Sequence, residues 1–189
     1  NTSIPLRKRI WKDGDGNVYL LAGAKVSDLN SLPAGDVVFD PTFSSQPDAT
    51  AGEDTKTVSS LPTMNYGTSG NLKAASGVNT GLIRFVLSSI PANATINAAT
   101  LSVWSLVGAG GSGSTCDMYR ILPARIGWSE SQATWNEYSV GNSWFGGGGV
   151  GTLDIDTSAP IASVFIPAAA ATQCNFTIST SQMQSILAN

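Results

Sequence analysis

The sequence predicts an all-β protein, a jelly-roll β-sandwich with an N-terminal β-hairpin extension. Three observations predict it. Apolar residues alternate with a period of two in short runs, most clearly Leu82 to Leu87 and Ala99 to Trp104, and that period marks half-buried strands. Glycine, proline and asparagine punctuate these runs along the whole chain, as turns between strands require. From Asp48 through Ala74 there is no helical period, which favours a sandwich over an alternation of strands and helices.

At 189 residues and 19.5 kDa the chain has room for one large β domain, or for a domain of ordinary size with an appended segment. The pattern divides it into residues 1-47, a hairpin arm with a linker, and residues 48-189, the sandwich. In the arm, Ile10-Trp11-Lys12 and Val18-Tyr19-Leu20-Leu21 flank Asp13-Gly14-Asp15-Gly16-Asn17. Asp-Gly between two apolar runs is a strong hairpin signal. The spacing of Asp13, Asp15 and Asn17 also matches the start of a calcium loop, but Ala24 stands where such a loop needs a bidentate glutamate. The bare hairpin is the expectation. Leu29 to Val38 then alternates weakly around Pro33 and Gly35, and Asp40-Pro41 with Ser44, Ser45 and Pro47 reads as a linker.

The segment from Leu82 to Trp104 reads as the centre of the sandwich. Its first run sets Ile83, Phe85 and Leu87 against Leu82, Arg84 and Val86, with Arg84 marking the face toward water. Its second sets Ala99, Leu101 and Val103 against Thr100, Ser102 and Trp104. Ile90-Pro91, Asn93 and Asn97 carry the crossing between them. Gly108 to Ser114 is a flexible turn into the alternating run Cys116 to Leu122. Cys116 and Cys174 fall in a middle and a late strand. A bridge between them would stabilise by roughly 4 kcal/mol through a closed loop of about 60 residues, and two buried free thiols is the other reading.

Five aromatic residues follow close together: Trp128, Trp135, Tyr138, Trp144 and Phe145. Trp128 and Trp135 are expected to plug the end of the sandwich. Trp144 and Phe145 precede the glycine run Gly146 to Gly149, which buries little. With Tyr138 they form the candidate sugar-stacking surface, because an aromatic ring complements the C-H face of a pyranose. Asp154 and Asp156 share one strand face, and paired carboxylates do acid-base work in glycosidases. No opposing partner is visible, so a solvated edge is expected. Ser179-Thr180 caps a short helix over Gln182 to Leu187.

Several function classes are disfavoured. A net charge of -3, with Arg7-Lys8-Arg9 the only basic cluster, does not suit nucleic acid. No apolar run approaches the roughly 20 residues of a bilayer span. The chain has no histidine, which excludes Ser-His and Cys-His catalysis. No cofactor or metal is called for. Sequons stand at Asn1, Asn93 and Asn175.

An ordered set of short motifs completes the reading: Asp48-Ala49-Thr50, Asn65-Tyr66-Gly67 with Leu72, Ile83-Arg84-Phe85 with Ile90-Pro91, Ile96 to Leu101, and Trp128-Ser129-Glu130 with Ala133-Thr134-Trp135-Asn136. In order and spacing the set resembles the DNRLRE domain family, grouped with disaggregatase-associated domains and a carbohydrate-binding module family. The resemblance implies a non-catalytic jelly-roll sandwich of large secreted, cell-surface or virion proteins, some members of which bind acidic polysaccharides. The N-terminal hairpin has no counterpart in that pattern, and the pattern's closing strand is missing after Asn189. An uncovered edge would need protection, so a homo-oligomer or larger assembly is expected. The leading expectation is a structural or display module at an extracellular or virion surface, with a carbohydrate-binding module as the alternative.

Overall fold

The computed structural model describes residues 7–16, 18–31, 43–48, 51–91, 93–106, 113–146, 148–169 and 171–188. The chain divides into two compact units at residues 42 and 43.

The first unit contains the expected hairpin. Strands β1 (Arg7–Lys12) and β2 (Val18–Gly23) pair antiparallel, with Lys12 opposite Val18 and Arg7 opposite Gly23. At the tip the Asp15 amide donates to Asp13 Oδ1 at 3.0 Å, and Gly16 supplies a φ of 90°, which only glycine adopts freely. A single turn of helix, α1 (Val26–Leu29), follows. Most of the Leu29 to Val38 run lies outside the described residues.

The second unit is built from antiparallel pairs, so the all-β expectation holds. β3 (Gly52–Val58) pairs with β4 (Asn79–Phe85), β5 (Ala99–Trp104) with β10 (Gln173–Ile178), β6 (Ser114–Met118) with β9 (Ala162–Ile166), and β7 (Glu137–Ser139) with β8 (Asn142–Ser143). The last three pairs are nested: β7–β8 lies inside β6–β9, which lies inside β5–β10. This is the pairing of a long hairpin folded back on itself. A single 3₁₀ turn, Pro123–Arg125, connects β6 toward β7, and helix α2 (Thr180–Leu187) closes the chain with Ser179 Oγ accepting from the Gln182 amide.

The two runs of the Leu82 to Trp104 segment belong to different ladders, because β4 pairs with β3 and β5 with β10. Helix α2 secures the crossing between them. Gln184 Nε2 donates to the Ala94 carbonyl at 3.1 Å and its Oε1 accepts from the Ile96 amide at 3.3 Å. The face assignment of β4 is also reversed. Leu82 is buried, and Arg84, on the same side, folds over Trp128 at 5.2 Å while pairing with Glu53 across the ladder and donating to the Ile126 carbonyl at 2.8 Å. An arginine stem packs well on an apolar surface when its head finds acceptors, so its charge did not mark the wet side. Leu82 and Trp128 join Ala133 and Trp144 in the core, with Ile121, Tyr138 and Val150 packed around them.

The other face of β3 is covered as well. Lys56 is buried, its Nζ donating to Ser69 Oγ at 2.6 Å and Asn71 Oδ1 at 2.7 Å and lying 5.3 Å from the Tyr66 ring. Burial, then the neighbouring charge of Lys73, hold this amine below its ordinary value of 10.5. The two cysteines are free thiols, Cys174 buried and Cys116 half-buried. Burial, then Asp117, push the Cys116 thiol up, away from the reactive thiolate.

Two measurements check this frame. Thr57 is fully buried and its hydroxyl has no hydrogen-bond partner among the described residues. Thr57→Val keeps the shape and removes the unpaired group, so it should raise stability by about 1 kcal/mol, or roughly 2–4 °C in melting temperature. Lys56 binds its proton more weakly folded than unfolded, so the neutral amine's contribution is full above pH 10.5 and is lost as pH falls through the lowered folded value. Urea denaturation at about pH 8.5 and about pH 10.5 should therefore show wild type gaining stability relative to Lys56→Met at the higher pH.

Candidate functional site

The aromatic segment is organised from beneath by one carboxylate. Asp154 is 0% exposed. Its Oδ1 accepts from Arg125 Nε and from the Phe145 amide, both at 2.9 Å, and its Oδ2 accepts from the Gly151 amide at 2.9 Å. The Leu122 amide donates to the Asp154 carbonyl at 2.9 Å, which ties the entry of the 3₁₀ turn to the same residue. The solvated edge expected for Asp154 is thereby overturned: three donors converge on it because an ionised carboxylate out of water is tolerated only when paired and hydrogen-bonded. Asp156 is exposed, and the Ser158 hydrogen bonds lower its pKa. The two carboxylates therefore do not share an environment.

Arg125, fixed by Asp154, lies between two rings. Its guanidinium carbon is 5.0 Å from the Tyr138 centroid and 5.6 Å from that of Phe145, a favourable placement of a cation on aromatic faces. Tyr138 in turn meets Trp144 at 5.7 Å and 56°, the tilted arrangement that ring quadrupoles favour. Trp144 is 1% exposed and its Nε1 donates to the Thr134 carbonyl at 3.0 Å.

Of the three predicted contact residues, Tyr138 is half-buried, Trp144 is core and Phe145 is 64% exposed. The exposure expected for Trp144 fails because its ring joins the core formed with Leu82, Trp128 and Ala133, and the end of the glycine run is packed on Trp135. Gly149, at φ 73°, is buried, donates its amide to the Trp135 carbonyl at 2.6 Å, and has no room for a Cβ, which would stand 2.6 Å from the Trp135 ring. Backbone packed on Trp135 takes the place of the missing side chains. Trp128 is buried at the core, as expected of a structural tryptophan, and Trp135 is half-buried.

The ordered motifs meet in space. Asn65 Nδ2 donates to the carbonyls of Glu130 at 2.7 Å and Ala133 at 2.8 Å, and its Oδ1 accepts from the Gly67 amide at 3.1 Å. Gly67 approaches the Glu130 carbonyl so closely that a Cβ would lie 2.4 Å from its oxygen. The Asn-Tyr-Gly turn is thus a clasp on the Trp-Ser-Glu turn.

A different aromatic is exposed as the alternation predicts. Trp104 is 63% exposed on the outer side of β5, where the alternation places it but where no binding role was assigned. At the hairpin tip, Asn17 lies outside the described residues. Among the described residues no group of three or more His, Cys, Asp or Glu is placed to hold a metal, and no helix is long and apolar enough to cross a membrane.

A β frame that locks most of its aromatic residues into structure and leaves single rings at the surface is suited to presenting a contact surface. A family model describes that class more narrowly: carbohydrate-binding module family 96 matches residues 45–143, just over half of the chain. The chain belongs to this family of binding modules. No curated protein and no solved structure matches it.

If Asp154 is the organising group, its neutralisation should be felt throughout the segment. Asp154→Asn leaves Arg125 without its buried counter-charge and should destabilise the unit by about 3 to 5 kcal/mol, whereas Asp156→Asn should change the unfolding midpoint little. Chemical denaturation of the two variants compares them directly.

Proposed function

We propose that this chain is a non-catalytic carbohydrate-binding module acting outside the cell. Its membership of carbohydrate-binding module family 96 carries the reading. The geometry that supports it is a rigid aromatic contact: Phe145 is held by its own amide on Asp154 and by its ring on Arg125, and it faces solvent. A pre-organised ring loses little freedom on binding. In this proposal Phe145 contributes a stacking surface, Tyr138 lies at its margin, and Trp144 supports them from the core. The motif set further suggests a sandwich of the DNRLRE type, with nested strand pairs of the kind from which a jelly roll is made.

The structural or display reading stands second. It is favoured by one observation: the hairpin belongs to a compact unit of its own, outside the family match. In that reading the arm, residues 1-47 in the sequence division, attaches the module to a homo-oligomer or larger assembly at an extracellular or virion surface.

Affinity electrophoresis of the chain against a panel of neutral and acidic polysaccharides tests the main proposal. Retardation by at least one polysaccharide is expected. Migration unaffected by every member, together with concentration-dependent association in sedimentation, would replace it with the assembly reading.

A further inference from the structure

We propose that the outward face of the β5–β10 pair, centred on Trp104, binds an uncharged polysaccharide chain. The proposal rests on the carbohydrate-binding reading and names its surface and ligand class.

The two faces of this pair are sharply different. Cys174 and Phe176 of β10 are buried, and Ala99, Leu101 and Val103 of β5 are half-buried on the inner side. The outer side carries three register pairs, Thr100 opposite Thr177, Ser102 opposite Asn175, and Trp104 opposite Gln173. All six are exposed and none is charged. Edge strands are often blunted by charged side chains. This face instead offers hydroxyls and amides in a row with one large ring at its end. Ser102 Oγ donates to Asn175 Oδ1 at 2.8 Å, which orients the amide and leaves its Nδ2 donors for a ligand. From Thr100 to Trp104 the row runs about 13 Å at roughly 3.3 Å per residue, the scale of a short oligosaccharide. Hydroxyl and amide groups suit a ligand rich in hydroxyls, and an exposed indole suits the C-H face of its rings.

Charge decides which polysaccharide. Residues 43–189 hold five Lys and Arg against eight Asp and Glu, so the net charge of -3 belongs to this unit. Three of those five cations are held against acceptors within the fold. Arg84 pairs with Glu53 over Trp128, Arg125 pairs with Asp154, and Lys56 is buried against Ser69 and Asn71. Arg120 reaches Ser185 at 3.5 Å and acts on Asp156. Lys73, the fifth, acts on Lys56, and none of the five stands in the β5–β10 ladder. An acidic polysaccharide would meet a net repulsive surface with no cation at the ring. An uncharged chain has no such penalty.

The full chain, Trp104→Ala and Phe145→Ala are compared by calorimetry and affinity electrophoresis on two sets of polysaccharide. One set is neutral (mixed-linkage glucan, galactomannan, arabinoxylan) and the other acidic (alginate, polygalacturonate). Binding to a neutral polymer, weakened at least about tenfold by Trp104→Ala and little changed by salt, is the expected result. Both rings are exposed, so unaltered melting temperatures verify that the variants fold. Binding only to acidic polymers, or binding lost with Phe145→Ala and kept with Trp104→Ala, overturns this inference and leaves the carbohydrate-binding proposal standing. Binding to no polymer overturns both. A dimer in sedimentation that Trp104→Ala abolishes would show that a second copy, not a glycan, covers the face.

Discussion

The meeting of three donors on the Asp154 carboxylate is the constraint on which the second half of this protein depends. A carboxylate with no exposure is tolerated only if its lone pairs are used, and here they are used by a side chain from the 3₁₀ turn and by two backbone amides from the loop that carries Phe145 and Gly151. The same contacts that satisfy the charge therefore fix the loop. With the loop fixed, Arg125 has one place to put its guanidinium, between Tyr138 and Phe145. Tyr138 then packs on Trp144, and Trp144 on the Leu82 and Trp128 core. Electrostatics, aromatic packing and loop conformation form one connected arrangement.

Three cations of the second unit are used in the same manner. Arg84, Arg125 and Lys56 each sit near an aromatic ring and each is held by acceptors of the chain itself. Such groups fasten turns to strands at long sequence separation: Arg84 to the Ile126 carbonyl, Arg125 to Asp154, Lys56 to the segment at Ser69 and Asn71. Charges used this way are withdrawn from any ligand. At the surface stand exposed rings such as Trp104 and Phe145, beside aliphatic side chains such as Leu61, Val140 and Leu153.

Within this arrangement the ordered motifs acquire a physical meaning. Asn65 and Gly67 are separated by more than sixty residues from Glu130 and Ala133, yet the Asn65 amide bridges two of their carbonyls and the missing Cβ of Gly67 admits a third close approach. The residue types are dictated by that clasp. Only a side chain with two N-H donors bridges two carbonyls, and only glycine comes so near a backbone oxygen.

Much of the fold was legible in the sequence. Period-two alternation located β5 residue for residue, told its inner face from its outer one, and identified the capped terminal helix, because these are local consequences of backbone geometry and of a serine hydroxyl within reach of an amide. The hairpin tip and the all-β class were legible for the same reason. Alternation says that a strand has two faces; it does not say what covers them. That Arg84 packs on Trp128, that Asp154 is buried, that Trp144 is core, and that β4 and β5 belong to different ladders were decided by contacts between distant segments. Such contacts join segments far apart in the sequence, and no local pattern encodes which of two apolar faces a partner will close.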